Sequence, residues 1–160
     1  MFGAEMGLYP TENLINYCMG DKRNTIHLSI RFNQFEGITH DEITNLVGLP
    51  PTVIHTRGEK KSVNSTAIAK YNNWILEAPC DEYTPFEVQM DALLDIIETR
   101  MEVFRFLSLK YSFEFCCALF MYGDTQESTP SVHMNARYHR IACELNAEFD
   151  LDLYCWCGNE

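Results

Sequence analysis

Apolar and polar positions alternate strictly in three segments of the chain, and each alternation predicts a strand buried on one face. From Thr25 to Phe32, Ile26, Leu28, Ile30 and Phe32 fall on one side, with Thr25, His27, Ser29 and Arg31 on the other. Tyr111 to Tyr122 repeats the pattern over a longer run. There Phe113, Phe115, Cys117, Leu119 and Met121 oppose Ser112, Glu114, Cys116, Ala118 and Phe120. The last is Phe149, Leu151, Leu153 and Cys155 set against Asp150, Asp152, Tyr154 and Trp156. Two shorter stretches, Thr52 to Thr56 and Trp74 to Leu76, read as brief strands. The polar run between them, Arg57 to Asn73, reads as a loop with a small basic knot of Arg57, Lys60 and Lys61.

Helical spacing fills the gaps. Thr39-His40-Asp41-Glu42 has the form of a capping box, followed by Ile43, Leu46 and Val47 and stopped by Gly48. Leu49-Pro50-Pro51 then forces an extended exit. Thr84 as cap, Pro85 at the first helical position and Glu87 closing the box open a second helix, whose Phe86, Met90, Leu93, Leu94, Ile97, Met101 and Phe104 recur at intervals of three and four. Asn135 to Leu145 is a third, with Tyr138, Ile141, Ala142 and Leu145 inward. Helices falling between one-faced strands imply an α+β fold, with an antiparallel or mixed sheet carrying its helices on one face. The simplest topology is a ferredoxin-like sandwich, whose usual strand order sets the first strand between the last and the long third one. Residues 1–24 read as an amino-terminal arm, and residues 25–160 as a single domain.

Composition narrows the function classes. At 160 residues the chain has room for one core without metal or disulfide staples. No apolar run reaches the ~20 residues of a membrane span, and the first residues do not resemble a signal peptide. A cytoplasmic protein is expected. The seven cysteines, Cys18, Cys80, Cys116, Cys117, Cys143, Cys155 and Cys157, are then expected to be reduced. The formal net charge is −11, and almost all of it lies after Cys80. Such a field repels nucleic acid and anionic membranes and favours basic partners.

The run Ile38-Thr39-His40-Asp41-Glu42-Ile43-Thr44-Asn45-Leu46-Val47-Gly48-Leu49-Pro50-Pro51-Thr52 resembles the signature of a bacterial family known as domain of unknown function 4279. Arg57-Gly58-Glu59, Trp74-Ile75-Leu76 and Asp150-Leu151-Asp152-Leu153-Tyr154 are similar to its later landmarks. The resemblance covers roughly Thr25 to Trp156, and the residues before Thr25 and the cysteine density depart from it. It implies no reaction and no catalytic residues. It does imply a small bacterial or phage protein, since some members resemble immunity or mobile-element genes.

Three constellations are candidates for function. Glu87, Asp91, Asp95, Glu98 and Glu102 form an acidic stripe on the face opposite the apolar one, with Asp81 and Glu82 just before it. Like charges so spaced repel, no lysine follows four residues after any of them, and only Arg100 and Arg105 offer partial relief. The stripe is read as a docking surface for a basic site on a partner protein, against the plainer reading of a solvated helix face. The second constellation is the open sheet face. If the terminal strands are neighbours, His27 and Arg31 lie beside Asp150, Asp152, Tyr154 and Trp156, giving a partner or homodimer surface. The third is a zinc alternative, with His139 and Cys143 four apart on a helix and Cys155 and Cys157 as a Cys-x-Cys pair. Buried thiols are the competing reading, and no metal or other cofactor is expected. Scattered histidines and the lack of a glycine-rich phosphate loop argue against an enzyme. The expectation is therefore a non-catalytic acidic protein-binding module of inhibitor or immunity type. The alternative is a small-molecule- or zinc-binding protein using the sheet face or the carboxy-terminal cysteines.

Overall fold

The strand and helix periods are realised in order along the chain. In a computed structural model, which describes residues 23–123 and 127–156, they appear as β1 (Thr25–Asn33), α1 (His40–Val47), β2 (Val53–His55), β3 (Asn73–Glu77), α2 (Phe86–Glu98), α3 (Met101–Ser108), β4 (Ser112–Tyr122), α4 (Ala136–Leu145) and β5 (Glu148–Trp156). Most of the expected arm, residues 1–22, and Cys157 lie outside the described residues.

The strands form one mixed sheet in the order β2-β3-β1-β4-β5. Every neighbouring pair from β2 to β4 is antiparallel. That order and those directions are those of a ferredoxin-like α+β sandwich. The unit α4–β5 is appended to it, with β5 parallel to β4 at the sheet's edge. The terminal strands are therefore not neighbours, contrary to the expectation from sequence. The long strand β4 takes the place beside β1, because the helical segment before it returns the chain to that side, and β5 is displaced outward.

The core lies on one face of the sheet. Phe32 is fully buried, its ring centroid 4.9 Å from that of Phe113, 5.8 Å from Phe104 and 6.0 Å from Trp74. Phe86, Met90, Leu93, Leu94 and Ile97 of α2 and Ile141 and Leu145 of α4 close over the strands. The indole N–H of Trp74 donates to Thr44 Oγ1 of α1 at 3.0 Å, so the buried ring leaves no polar atom unpaired. The first capping box forms as the sequence predicts. The Thr39 hydroxyl accepts from the Glu42 amide, Glu42 accepts from the Thr39 amide, and Gly48 ends α1 with φ +72°.

Three local expectations fail. Thr84 caps nothing; Pro85 occupies the cap position of α2 without a side-chain hydrogen bond. The long helix breaks after Glu98, where Arg100 leaves helical geometry and its Nε donates to the terminal carbonyl of α1 at Val47. Neither proline nor glycine marks the break, and the apolar spacing runs through it undisturbed. Finally, β5 is not buried on its inner face. Phe149 packs between Phe86 and Tyr138, but Leu151 and Leu153 are 40% and 57% exposed and Cys155 is exposed too.

A buried polar residue completes the sheet. β3 runs alongside β1 only from Ser29 to Asn33, which leaves the backbone of Ile26 and Leu28 open on that edge. Gln89 of α2 fills it: its amide oxygen accepts from Leu28 N, and its amide nitrogen donates to the carbonyls of Ile26 and Thr84. The flanking Ala78 N–H and Glu82 carbonyl pair with Leu28 O and Ile26 N. Replacing Gln89 by leucine, which keeps the volume, strands a buried donor and acceptor at about 1–3 kcal/mol for an unsatisfied group. Urea denaturation should show that loss as a lower midpoint with an unchanged slope. An unchanged midpoint would show that the amide is not what closes the ladder.

Candidate functional site

The acidic stripe is not a free surface. α4 lays Arg137 across it, and the guanidinium reaches Asp91 at 3.2 Å, Asp95 at 2.5 Å and Glu98 at 2.7 Å. Arg140 adds a bond to Glu98 at 2.9 Å. Glu87 accepts a hydrogen bond from the Ser131 hydroxyl. Glu102 lies beyond the break, on α3, where Arg105 pairs with it and with Glu144 of α4. The counter-ions that the i+4 positions lack are supplied by a helix nearly forty residues later, which sequence spacing on one helix could not show. Asp91, Asp95 and Glu98 thus fasten α4 to α2. Of the two acids before the helix, Asp81 accepts from the Tyr83 amide and Glu82 stands 3.7 Å from His27.

The Arg137 and Arg140 hydrogen bonds hold the Glu98 carboxyl below its usual range. Its contribution to stability is present above the unfolded carboxylate value and is lost as pH falls through the depressed folded value. Arg137→Met should therefore lower the melting temperature near neutral pH, and the loss should shrink at ~1 M salt, where the pairs are screened. Between about pH 6 and pH 2 the variant should also lose less stability on acidification than the native chain. Differential scanning fluorimetry across pH and salt reads both effects.

The opposite face of the sheet carries no helix among the described residues. Its rows follow from the strand register. Trp156 lies beside Tyr122, Tyr154 beside Phe120 and Thr25, and Asp152 beside Ala118 and His27. Asp150 then lies beside Cys116 and Ser29, and Glu148 beside Glu114 and Arg31. The structure thus brings His27, Arg31, Asp150, Asp152, Tyr154 and Trp156 onto one face. β4 separates the first two from the rest, so the expected cross-strand pair of Arg31 with Asp150 or Asp152 is replaced by Arg31 with Glu114, at 3.4 Å.

One end of this face is an aromatic ladder. Phe120 stacks on Tyr154 at 4.7 Å and on Trp156 at 5.6 Å, and Tyr122 stacks on Trp156 at 5.2 Å. The interplanar angles are 10–16°, so these rings cover one another's faces. A reader of nucleobases needs positive charge beside its stacking rings; this ladder has its rings stacked on one another and borders carboxylates. Phe120 and Tyr122 share the parity of Glu114 along β4, which places them on this face from sequence, but their partners become visible only once β5 is known to lie beside β4.

Below the ladder lies a mixed cluster. One ligating atom each from Glu114, Cys116 and Asp150 falls within 4.8 Å of the others. Glu114 is already engaged, accepting from Asn33 Nδ2 at 3.0 Å and facing Arg31. Burial pushes its carboxyl above the ordinary value, against the pull of Arg31. Burial also pushes the Cys116 thiol up to about 12, and Cys117 on the core side likewise. These are protonated, unreactive thiols. A divalent cation there would meet the Arg31 guanidinium, and Glu114 is already engaged by Arg31 and Asn33, so the donor set does not suit a metal. The zinc alternative fares no better: His139, Cys143 and Cys155 are exposed and do not come together among the described residues. The expected burial of the carboxy-terminal thiols is corrected for Cys143 and Cys155, and Cys157 lies outside the described residues.

Glu148, Asp150 and Asp152 stand out against this background. All three are exposed on β5, and among the described residues no cation pairs with any of them. No helix of the described residues is long and apolar enough to cross a membrane. The family described as Domain of unknown function (DUF4279) matches residues 24–156. No curated protein and no solved structure matches the chain.

Proposed function

The chain belongs to the DUF4279 family, which brings no assigned reaction, and on that premise we propose that it is a non-catalytic acidic protein-binding module of inhibitor or immunity type. Its partner is a protein with a basic site, and the docking surface is the β5 side of the open sheet face. One observation carries this reading: Glu148, Asp150 and Asp152 project from one strand with no paired cation among the described residues, whereas the stripe on α2 is held by Arg137 and Arg140. Unpaired carboxylates steer a cationic partner and fix its register. Intramolecular pairs have most of that field neutralised. The same carboxylates repel phosphate, which argues against nucleic acid as the ligand.

The alternative, a small-molecule- or zinc-binding protein, would rest on Glu114, Cys116 and Asp150. The partners that Arg31 and Asn33 supply there weigh against it.

Two variants of equal charge separate the surfaces. Asp150→Asn with Asp152→Asn should slow association with the protein recovered on the tagged chain from its host by about tenfold at low salt. Asp91→Asn with Asp95→Asn should leave the rate nearly unchanged. Surface plasmon resonance at two ionic strengths measures both. A larger loss from the α2 pair would return the function to the stripe and defeat the sheet-face reading.

A further inference from the structure

β5 is an edge strand with unusual exposure on three sides. Its inner neighbour is β4, and among the described residues no strand or loop backbone pairs with its outer edge. The register with β4 runs one to one from Glu148 to Trp156, so no bulge twists the edge away. Edge strands in natural proteins are usually blunted by shortness, charged side chains, proline or a covering element. β5 is nine residues long without proline, and its charges, Glu148, Asp150 and Asp152, are of one sign, which bars an acidic strand but not a basic one. A row of backbone donors and acceptors is left facing outward.

Side chains on either side of that row are sorted by chemistry. On the helix side, Leu151 and Leu153 are exposed beyond the reach of α4. On the open side, Glu148, Asp150 and Asp152 lack counter-ions among the described residues. An added strand presents its alternate residues to the same two faces with a period of two. The complementary strand therefore alternates basic residues, beside Asp150 and Asp152, with apolar ones, beside Leu151 and Leu153.

We propose that the outer edge of β5 receives an extended segment of a partner protein, alternating basic and apolar residues, as a sixth strand of the sheet. This deepens the sheet-face reading above and rests on it. Charge selects this occupant over two others. A second copy pairing β5 with β5 would bring Glu148, Asp150 and Asp152 against their own equivalents, and like charges facing across strands destabilise the pair. The chain's own residues 1–22 carry Glu5, Glu12 and Asp21 against the single Lys22, which does not complement the edge.

The test uses the full chain and a synthetic peptide of alternating valine and lysine as long as β5, with a twin N-methylated on alternate amides. The twin keeps every side chain and charge but cannot donate along one edge. Strand addition predicts that the peptide binds and that alternate amides from Glu148 to Trp156 gain protection in hydrogen exchange. The twin should bind about tenfold or more weakly, and Asp150→Asn with Asp152→Asn should weaken the unmodified peptide. Equal binding of peptide and twin, still weakened by the Asn pair, would overturn strand addition and leave the sheet-face reading standing. Binding of both that ignores the Asn pair would defeat the sheet-face reading itself. Failure of the peptide to bind at millimolar concentration overturns strand addition. So does protection of the outer amides in its absence: with dimers in light scattering the occupant is a second copy, and with monomers it is a segment of the same chain.

Discussion

The architecture depends on satisfying both edges of β1. A buried strand must pair its backbone groups on each side or carry a penalty for every one left open. On one side β4 pairs with β1 along its whole length. On the other, β3 covers only the last part, and the remainder is closed by Gln89, the Ala78 amide and the Glu82 carbonyl. That closure sets α2 against the sheet, since Gln89 reaches β1 only if its helix lies flat on Ile26 and Leu28. The apolar positions around it, Phe86, Met90 and Leu93, are buried beside it. One polar side chain thus ties the apolar face of α2 to the open edge of β1.

With β1 occupied on both sides, β5 joins at the free edge of β4 rather than beside β1. The return helix α4 must then cross the sheet beside α2, and the two acidic and basic faces meet there. Arg137 bridges three carboxylates of α2, which repel one another until it arrives. The acidity of α2 has a structural use, and the helix pair needs it. The carboxylates of β5 have no such partner among the described residues. Their repulsion is tolerated at an edge where water screens it.

Much of this was legible in the sequence. The alternation of β1, β4 and β5 and the capping box at Thr39 depend on local chemistry, and the structure keeps them within a residue or two. What local chemistry could not show was pairing. Nothing in Thr25 to Asn33 says that its neighbour is Ser112 to Tyr122 rather than Glu148 to Trp156, because both offer the same alternating apolar face. The role of Gln89 was hidden for a similar reason. It stands on an apolar helix face at a position where glutamine ordinarily reaches solvent, and only the shortness of β3 gives it work. Arg137 and Arg140 were equally silent, as their partners sit on another helix. The break at Arg100 interrupts no periodicity, so Glu102 looked continuous with a stripe it does not belong to.

Leu151 and Leu153 carry the remaining lesson about β5. Their alternation with Asp150 and Asp152 is that of a strand buried on one face, yet the helices stop short of them. Burial of Phe149 against Phe86 and Tyr138 suffices to anchor the start of the strand. Its second half is held by the pairing with β4 and by the ladder of Phe120, Tyr154, Tyr122 and Trp156 on the other face. Stacked rings keep that half extended without a covering layer, since offset-stacked aromatic pairs contribute about 0.5–1.5 kcal/mol each beyond their area. The strand is therefore held extended where it is least covered. Preorganised backbone lowers the entropy cost of adding a further strand, and the ladder thereby supports the edge that the leucines flank on one face and the carboxylates on the other.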